Sequence, residues 1–345
     1  MGHAPHPNVV FVCEGSKDSG FGHVSRCLAL AEAFVDLGYS ASFQGSYEDG
    51  ADRLLQDAEM PFATTPGETK QNRFRAAREI LGKTRPFAIV ADDYEMSRDD
   101  LAGFNAIAPT LFFDDLNSLP DYPCAAVLNP STGVDTSQYA STGSALILGA
   151  EYLPVRKSLR HARVTKAPLE GPPERVLIAI GGADKWNLTL RSAQALLHVA
   201  PALSVHVVVG TSYRDSAQLS GVLARFEGEC RLIGQVPSLA DELLWADVAV
   251  CGGGMTKYEA AYIGVPPIVV SKTLEEARET VRFAADGFGF DLGYGPDLSD
   301  ASLAASLEKV LAEPEALKAV SGRCFAAFPD DPTVDAVQAF LRAIS

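Results

Sequence analysis

Short apolar runs alternate with helical patterns along most of the chain. The first apolar run, Asn8–Cys13, predicts a strand. It is followed by a glycine-containing loop, and then apolar residues recur every three or four positions from Val24 to Val35. That spacing predicts a helix over His23–Leu37 with one apolar face. The repetition of this strand–loop–helix order predicts a parallel sheet with crossover helices.

The pattern divides into two halves. Further strands of the first half are predicted at Ser40–Gln44, Phe87–Asp92, Thr110–Phe113 and Ala125–Leu128. Strands of the second half are predicted at Arg175–Ile180, Leu203–Val209, Cys230–Ile233, Asp247–Cys251 and Pro267–Val270. Its helices are predicted near Leu188–Val199, Leu239–Trp245, Thr256–Ile263 and Leu274–Asp286, and the tail from about Asp300 to Leu341 is helical with breaks at Pro314 and Pro332.

These halves predict an α/β protein of two Rossmann-like, doubly wound domains that face a central cleft. The stretch 163–174 carries three prolines and a glycine, which is typical of a linker. We therefore expect an N-terminal domain over 1–162 and a C-terminal domain over 175–328. Residues 329–345 form a final helix, for which packing against the N-terminal domain is one arrangement. In such sheets ligands bind beyond the carboxyl ends of the strands.

Composition narrows the function. The chain has 345 residues and a formal net charge of −15, which argues against nucleic acid or an anionic membrane surface as a partner. A phosphate-containing ligand would have to be held by backbone amides and a few placed cations. The six cysteines show no Cys-x-x-Cys spacing, and no apolar run approaches the roughly 20 residues of a membrane span. We expect a cytoplasmic protein without a metal site.

Glycine-containing loops between strand and helix are the first candidate sites. The loop Gly20-Phe21-Gly22 opens the first helix, where free amides favour an anion. A neutral His23 imidazole at this position can accept a proton from a hydroxyl or from water, and Arg26 lies one turn further on. A surface helix with an incidental histidine is the alternative interpretation.

Two more glycine loops follow strands of the second half. Gly181 and Gly182 precede Asp184, and Asn187 and Thr189 could cap the next helix. The run Gly252-Gly253-Gly254 precedes Met255 and Thr256, and bare backbone at a helix start can cradle a diphosphate. One turn on, Glu259 could accept hydrogen bonds from ribose hydroxyls, or be an exposed carboxylate favoured by the helix dipole.

Acidic pairs end two strands of the first half. Asp92 and Asp93 precede Tyr94, and Asp114 is followed by Asp115. Such pairs can hold a metal, act as acid and base, bind hydroxyl groups or cap a helix. Because no histidine lies near them in the sequence, helix capping or hydroxyl binding is favoured over a metal.

The run GFGHVSRCLALA at 20–31 resembles the GxGHxxRCLxLA signature of the UDP-sugar hydrolases of the pseudaminic acid pathway. Other segments are similar in order and spacing: Asp92–Tyr94, Phe113–Asp115, Leu128-Asn129, Gly149 with Tyr152 and Arg156, and Gly181–Asp184. Gly252–Glu259, with Gly264 and Pro266, resembles the UDP-binding half of the wider GT-B group, which includes the lipid II N-acetylglucosaminyltransferases. The resemblance covers most of residues 8–290.

The resemblance implies a metal-independent GT-B enzyme that cleaves the anomeric C–O bond of a UDP-sugar with inversion. It implies that His23 activates the nucleophile, Glu259 binds the ribose, Gly253–Thr256 bind the diphosphate and the backbone at Val236 reads uracil. The sugar and acceptor residues that it implies are Gly20, Phe21, Gly22, Arg26, Asp93, Tyr94, Asn129, Tyr152 and Arg156. The nucleotide and diphosphate residues are Gly181, Gly182, Asp184, Val236, Gly253, Gly254, Met255, Thr256 and Glu259. Arg26, Arg156, Lys185 and Lys257 are the cations expected to assist.

Departures from the hydrolase pattern lie at positions that the resemblance places near the sugar. Val12 and Glu14 stand where that family has Arg and Asp, and Thr273-Leu274 stand where it has Asn-Gln. The favoured function is therefore a glycosyltransferase that moves a sugar from a UDP-sugar to a small acceptor, with a cytosylglucuronate-synthase type of role in nucleoside antibiotic biosynthesis as one form. A UDP-sugar hydrolase and a non-catalytic nucleotide-sugar-binding protein are the alternatives. The sugar, the acceptor and the oligomeric state are left open.

Overall fold

The computed structural model describes residues 6–16, 21–48, 50–139, 143–182, 184–211 and 213–345. These residues form two compact units. Unit 1 comprises residues 1–157 and 330–345 of the chain, and unit 2 comprises 158–329.

Unit 1 contains a parallel sheet of seven strands in the order β3-β2-β1-β4-β5-β6-β7. The strands are β1 (Asn8–Cys13), β2 (Ser40–Gly45), β3 (Phe62–Thr64), β4 (Ala88–Asp92), β5 (Thr110–Phe113), β6 (Ala126–Asn129) and β7 (Ala145–Leu148). The chain leaves β1 toward one edge of the sheet and returns to the other side of β1 with β4. The last residue of β1, Cys13, consequently lies opposite the last residue of β4, Asp92.

Helices cover both faces of this sheet. They are α1 (Gly22–Asp36), α2 (Ala51–Asp57), α3 (Lys70–Thr84) and α4 (Arg98–Asn105), with short 3₁₀ turns at Thr136–Tyr139 and Ala150–Tyr152. Strand β1 shows why both faces need cover. Its alternate residues Val9 and Phe11 enter the core that α1 covers, whereas Val10 and Val12 enter the core on the opposite face.

Unit 2 contains a parallel sheet of six strands in the order β10-β9-β8-β11-β12-β13. The strands are β8 (Arg175–Ala179), β9 (Ser204–Val208), β10 (Cys230–Ile233), β11 (Val248–Cys251), β12 (Pro267–Ser271) and β13 (Phe290–Tyr294). Counted from its first strand this is the order 3-2-1-4-5-6 of a Rossmann sheet. Here Ala179 at the end of β8 lies opposite Cys251 at the end of β11.

The remaining helices comprise one that precedes the strands of unit 2 and others that follow its first strand. They are α5 (Lys157–Thr165), α6 (Leu188–Val199), α7 (Ser216–Leu223), α8 (Ala240–Trp245), α9 (Met255–Ile263), α10 (Leu274–Ala285), α11 (Asp300–Leu311), α12 (Pro314–Ala327) and α13 (Pro332–Ala343), with a 3₁₀ turn at Gly295–Asp297. No helix in the described ranges is long and apolar enough to cross a membrane.

The predicted α/β class with two Rossmann-like sheets is confirmed. Several predicted bounds are reproduced to the residue, including those of β1 and α6, and most others differ by one or two residues. Strands β3, β7 and β13 were not predicted; they are edge strands of three to five residues. Most of their residues are only partly buried, so burial imposes a weak apolar pattern on them.

The linker and the C-terminal segment differ in detail from the prediction. Helix α5 continues to Thr165, past the predicted start of the linker at residue 163, and the change between units falls at 157/158. The last segment, 330–345, is part of unit 1, where α13 packs against α1. Phe340 of α13 meets the edge of Phe34 at a centroid distance of 6.4 Å.

Candidate active site

The first candidate site lies where β1 and β4 end side by side. The chain departs from these adjacent strands toward opposite sides of the sheet, and that divergence leaves a crevice at the carboxyl ends of the strands. Helix α1 begins just beyond β1 and brings His23 in its first turn. The end of β4 brings Asp92, which is 69 residues away in sequence.

His23 and Asp92 form a short hydrogen bond. The distance from His23 Nδ1 to Asp92 Oδ1 is 2.6 Å. The His23 side chain keeps 13% of its surface exposed, whereas Asp92 is buried. A buried carboxylate therefore fixes the ring through Nδ1, and Nε2 is the imidazole nitrogen left for other chemistry. In the sequence Asp92 is recognisable only as one of an acidic pair, and its partnership with His23 becomes visible in the tertiary structure.

Arg26 holds the same carboxylate. Its Nε lies 2.6 Å from Asp92 Oδ2 and its Nη2 lies 2.6 Å from Asp92 Oδ1, so the pair is bidentate. Its Nη1 donates to Asp115 Oδ2 at 2.7 Å, and the guanidinium carbon lies 4.6 Å from the centre of the Phe113 ring. Arg26 is only 4% exposed. Arg26 thus lies buried between two carboxylates and positions Asp92, and its expected role in binding the sugar or acceptor stays a prediction.

The charge state of Asp92 follows from this arrangement. Burial by itself would raise the pKa of Asp92, but the Arg26 guanidinium and His23 outweigh it and hold the pKa well below its usual range. An ionised Asp92 accepts the proton of His23 Nδ1, which places the lone pair of a neutral ring on Nε2. This is the arrangement by which a carboxylate orients a histidine base and stabilises its protonated form.

The ring of Tyr94 is partly exposed and lies beside His23. Its ring meets the His23 ring edge-on at a centroid distance of 4.7 Å, and its hydroxyl donates to Asp115 Oδ2 at 3.1 Å. The residue is 48% exposed, so an apolar ring face is open next to the candidate base. Its prediction as a sugar or acceptor contact stays a prediction.

Asp93 and its neighbours form a second charged group at this edge. Asp93 Oδ1 accepts from Lys70 Nζ at 3.1 Å and from the Glu95 amide at 2.8 Å, and Asp93 is buried. The Arg73 guanidinium pairs with Glu14, with Nη2 2.7 Å from Oε2. Sequence reasoning missed Lys70 and Arg73 because α3 reaches this edge only through tertiary packing.

Other residues expected at the sugar or acceptor have local structural roles. Asn129 is buried, donates to the Tyr139 hydroxyl at 3.0 Å and accepts from the Ser131 amide at 3.0 Å. Arg156 pairs with Glu32 on α1 at 2.7 Å, and Tyr152 packs against the core that α1 covers. These contacts lie within unit 1, and the expected roles of Asn129, Tyr152 and Arg156 at the sugar or acceptor stay predictions.

The glycine loop that opens α1 is only partly described. Gly20 lies outside the described residues. Phe21 packs against the core of unit 1 and occupies the N-cap position of α1 without a side-chain hydrogen bond to the helix. A Cβ added to Gly22 would meet nothing within 4 Å. The backbone at Gly22 is therefore approachable.

The second candidate site lies in unit 2, where β8 and β11 end side by side. This is the equivalent divergence point of the second sheet, and both remaining glycine loops begin there. Gly181 follows β8 with a φ of +109°, a backbone conformation that favours glycine. Gly252–Gly254 follow β11 and lead into α9.

Internal packing requires two of the three glycines before α9. A Cβ on Gly252 would lie 2.6 Å from the Ile180 carbonyl oxygen, and one on Gly253 would lie 2.7 Å from Glu276 Cβ. The protein's own packing thus requires these two glycines. A Cβ on Gly254 would come no closer than 3.8 Å to any atom, and Gly254 is exposed. Of these three glycines, Gly254 is therefore the one whose backbone is accessible.

Helix α9 begins in a way that suits an anion. Gly254 is its N-cap residue, no side chain caps the helix, and its first turn holds no acidic residue. Met255 and Thr256 on this turn, and Glu259 one turn later, are half-buried. Lys257, expected to be an assisting cation, is fully buried and its ammonium lies 2.6 Å from Glu279 Oε2. That expectation is corrected, because Lys257 joins α9 to α10 instead.

Asp184 also has a local role. Its two carboxylate oxygens accept from the Leu188 and Thr189 amides, each at 2.8 Å, at the start of α6. Asn187, expected to be a cap, is the N-cap residue but makes no side-chain capping bond. The Asp184 carboxylate thus accepts from amides at the start of α6, and its assignment to the diphosphate stays a prediction. Val236 is half-buried in the loop between β10 and α8, and its expected role in contacting uracil stays a prediction.

Comparison with protein-family models gives no match. Curated relatives are distant. The chain is 24% identical over 312 residues to the spore coat polysaccharide biosynthesis protein SpsG of Bacillus subtilis, covering 88% of this chain and 89% of that protein. It is 23% identical over 278 residues to an uncharacterised protein of Methanocaldococcus jannaschii, covering 76% of this chain but 55% of that protein. The match thus spans about half the length of the archaeal relative.

A third relative is a named transferase. The chain is 24% identical over 348 residues to the UDP-N-acetylglucosamine–N-acetylmuramyl-(pentapeptide) pyrophosphoryl-undecaprenol N-acetylglucosamine transferase of Pseudomonas fluorescens, covering 91% of this chain and 92% of that enzyme.

Solved structures resemble the whole chain. MurG of Acinetobacter baumannii superposes with a TM-score of 0.64 at 17% identity, covering 96% of this chain and 99% of that one. The spinosyn forosaminyltransferase SpnP superposes with a TM-score of 0.64 at 15% identity, covering 97% and 100%. At this identity the likeness concerns the fold. Together with the two Rossmann-like sheets, it establishes that the chain has the GT-B fold of glycosyltransferases.

Proposed function

We propose that the protein is an inverting, metal-independent glycosyltransferase that moves a sugar from a UDP-sugar to a small acceptor. The observation that carries the proposal is the His23–Asp92 hydrogen bond of 2.6 Å, locked by the bidentate Arg26. A histidine held in this way is suited to remove a proton from a hydroxyl group. The GT-B fold, and relatives named for transferase and polysaccharide biosynthesis roles, support the choice of reaction.

In the proposed reaction, His23 Nε2 takes the proton of the acceptor hydroxyl as its oxygen attacks the anomeric carbon. The bond between that carbon and the diphosphate oxygen breaks, and UDP leaves with the bonding electrons. The proton remains on His23, whose imidazolium is stabilised by the Asp92 carboxylate 2.6 Å from Nδ1. Attack from the face opposite the leaving group inverts the anomeric centre. Asp92 and Arg26 act as positioning residues in this step.

Unit 2 is proposed to hold the nucleotide. The uncapped start of α9 at Gly254 offers amides and a helix dipole to the diphosphate. Glu259 would bind the ribose, and the backbone at Val236 the uracil, as the resemblance implies. A net charge of −15 does not oppose this ligand, because backbone amides supply the hydrogen bonds locally.

A UDP-release assay tests the proposal. With the correct donor, a transferase releases UDP slowly alone and much faster when the acceptor is added. Turnover at the full rate without any acceptor would instead establish a UDP-sugar hydrolase. Donors are found first by a thermal-shift screen of UDP, other nucleotides and nucleotide-sugars, because a ligand of the folded state raises its stability.

His23→Ala separates an enzyme from a binding protein. We expect the variant to lose roughly 100-fold or more in the rate of UDP release while it still binds UDP, since general base catalysis is worth about that much. His161→Ala is the matched control, because His161 is an exposed histidine on α5. An unchanged rate in His23→Ala would overturn the catalytic assignment.

The metal-independent character is proposed on the resemblance and is tested separately. In the part of the chain that the structure describes, no group of three or more His, Cys, Asp or Glu side chains is arranged to hold a metal ion. Activity should persist in a chelator. Loss of activity with EDTA and its restoration by Mg²⁺ or Mn²⁺ would contradict the proposal and direct attention to Asp93, Asp114 and Asp115.

A further inference from the structure

Lys272 lies across the glycine loops of unit 2. It directly follows β12, the strand next to β11 in the sheet, so its side chain starts at the same carboxyl edge. Its Nζ lies 3.1 Å from the position that a Cβ on Gly181 would take. Its Cε lies 3.3 Å from the corresponding position on Gly252. A lysine side chain thus borders the loops that follow both β8 and β11.

The Lys272 ammonium is only loosely paired. Among the described carboxylates, Glu276 Oε1 lies 3.7 Å from Nζ, which is beyond hydrogen-bond distance. The other Glu276 oxygen accepts the Lys272 backbone amide at 2.7 Å and so fixes the turn. The Lys272 side chain is 23% exposed. Its ammonium can therefore take up a further anionic partner.

Lys272 differs in this respect from the other cation beside the glycines. The Lys257 ammonium is fully buried, donates to the Gly253 carbonyl and pairs with Glu279 at 2.6 Å. A fully desolvated ammonium in such an ion pair costs much free energy to separate. Lys272 can therefore reach a ligand without breaking a buried pair.

We infer that Lys272 contacts the diphosphate of the nucleotide and stabilises it as a leaving group. A lysine ammonium is a compact point charge that binds phosphate oxygens. Negative charge on the diphosphate grows as the anomeric C–O bond breaks, so a cation fixed beside it favours the transition state over the bound donor. This inference rests on the proposed function, since it assumes that a nucleoside diphosphate binds at these loops.

The alternative interpretation is that Lys272 and Glu276 form only a surface ion pair at the start of α10, and that Lys272 contacts no ligand. Such pairs contribute little to stability and would not affect nucleotide affinity. The two interpretations predict different effects of the number of phosphates on the affinity for a nucleotide. A diphosphate contact weakens as phosphates are removed from the ligand, whereas a structural role affects every ligand alike.

Isothermal titration with UDP, UMP and uridine tests the inference. Lys272→Met should weaken UDP binding roughly 10- to 100-fold, as expected for a lost charge-assisted contact, with a smaller effect on UMP and less than about 2-fold on uridine. Lys272→Arg should restore part of the affinity for UDP. Once a donor is known, kcat should fall in Lys272→Met along with donor affinity.

Lys318→Met is the matched control for net charge, because Lys318 is an exposed lysine of unit 2 on α12. Unchanged UDP affinity in Lys272→Met would overturn the inference and leave the proposed function standing. Equal weakening of UDP and uridine would also overturn it, by revealing a structural role. If the wild-type protein binds no nucleoside diphosphate at all, the proposed function fails and the inference falls with it.

Discussion

The His23 imidazole is held in place directly by Asp92 and, through Asp92, by Arg26. Asp92 fixes the ring through Nδ1, and Arg26 fixes Asp92 through two hydrogen bonds of 2.6 Å. Arg26 lies three residues after His23 on α1, so both project from the same side of the helix toward β4. Since Arg26 is buried and doubly paired, the orientation of His23 is set before any substrate binds.

Asp92→Asn should reduce catalysis more than it reduces donor binding. The amide no longer favours the tautomer with its lone pair on Nε2 and cannot stabilise the imidazolium, so we expect kcat to fall roughly 100- to 10,000-fold. The KM for the donor should change little. Steady-state kinetics measure both, with Asp57→Asn as the control because Asp57 is an exposed aspartate at the end of α2. A kcat close to that of the wild type would exclude Asp92 as the positioning residue.

The same substitution should change how stability depends on pH. The pKa of Asp92 is lowered in the folded protein, whereas an aspartate in the unfolded chain has a pKa of about 3.9. The ion pair therefore contributes fully above about pH 4, and this contribution is lost as the pH falls toward the lower, folded pKa.

Urea denaturation of wild type and Asp92→Asn between pH 6 and pH 3 measures this effect. We expect wild type to be more stable by about 3 kcal/mol near pH 6, because the variant leaves a buried guanidinium incompletely paired. The difference should narrow below about pH 4. A difference in the free energy of unfolding that stays constant down to pH 3 would show that Asp92 is not ionised against Arg26 in the folded state.

At the level of elements, the glycines before α9 differ in how closely other residues pack against them. Gly253 lies against α10, where a Cβ would come 2.7 Å from Glu276 Cβ, but Gly254 faces open space at the N-cap. The sequence presents the glycines as one run. A steric reason accounts for Gly252 and Gly253, whereas Gly254 lies open at the start of the helix.

Two alanine substitutions test this division. Gly253→Ala should lower the free energy of unfolding by about 1–3 kcal/mol, because α10 must shift to admit the methyl group. Gly254→Ala should leave stability almost unchanged and weaken UDP binding several-fold, because its methyl group stands beside the amides proposed to bind the diphosphate. Thermal denaturation and UDP titration on both variants provide the comparison. If Gly254→Ala bound UDP as tightly as wild type, the diphosphate would have to be placed elsewhere.

Helix α6 shows why a cap is hard to assign from sequence. Asn187 and Thr189 are good capping residue types, but Asn187 adopts a left-handed φ of 51° and its side chain accepts from the Tyr213 hydroxyl. Asp184, three residues earlier than the N-cap, supplies the capping oxygens instead. The path of the loop decides which carboxyl or amide group reaches the helix amides, and that path depends on how the loop packs.

On the scale of the whole molecule, the end of the chain completes the unit in which the chain begins. Helix α13 returns to unit 1 and buries Ala336, Val337 and Phe340 against the core that α1 covers. Thr333 on this helix accepts from the Val155 amide at 2.9 Å. The stability of unit 1 therefore depends on residues more than 170 positions downstream.

Phe340→Ala should destabilise unit 1 by about 3–5 kcal/mol, since it removes a fully buried aromatic ring. Arg342→Ala on the same helix is the control, because Arg342 is exposed and should change stability by less than about 0.5 kcal/mol. Hydrogen exchange of α1 peptides, followed by mass spectrometry, should accelerate in the first variant alone. Equal exchange in both variants would show that α13 does not support the α1 core.

The sequence by itself determined the α/β class and most of the central strands. Local periodicity marks β1, α1 and α6 because burial on one face repeats at the period of each structure. The GFGHVSRCLALA motif at 20–31 identified His23, and the glycine runs identified both loops of unit 2. Each of these signals is contained within a few consecutive residues, so no knowledge of distant contacts is needed.

Tertiary structure alone decided which residues meet. Asp92 reaches His23 because β4 returns to the side of β1, and Lys272 reaches Gly181 because β12 and β8 both flank β11. The same packing pairs Arg26, Arg156 and Lys257 with carboxylates that are distant in sequence. Strand order and side-chain pairing depend on the free energy of burying the whole sheet, which no local segment encodes.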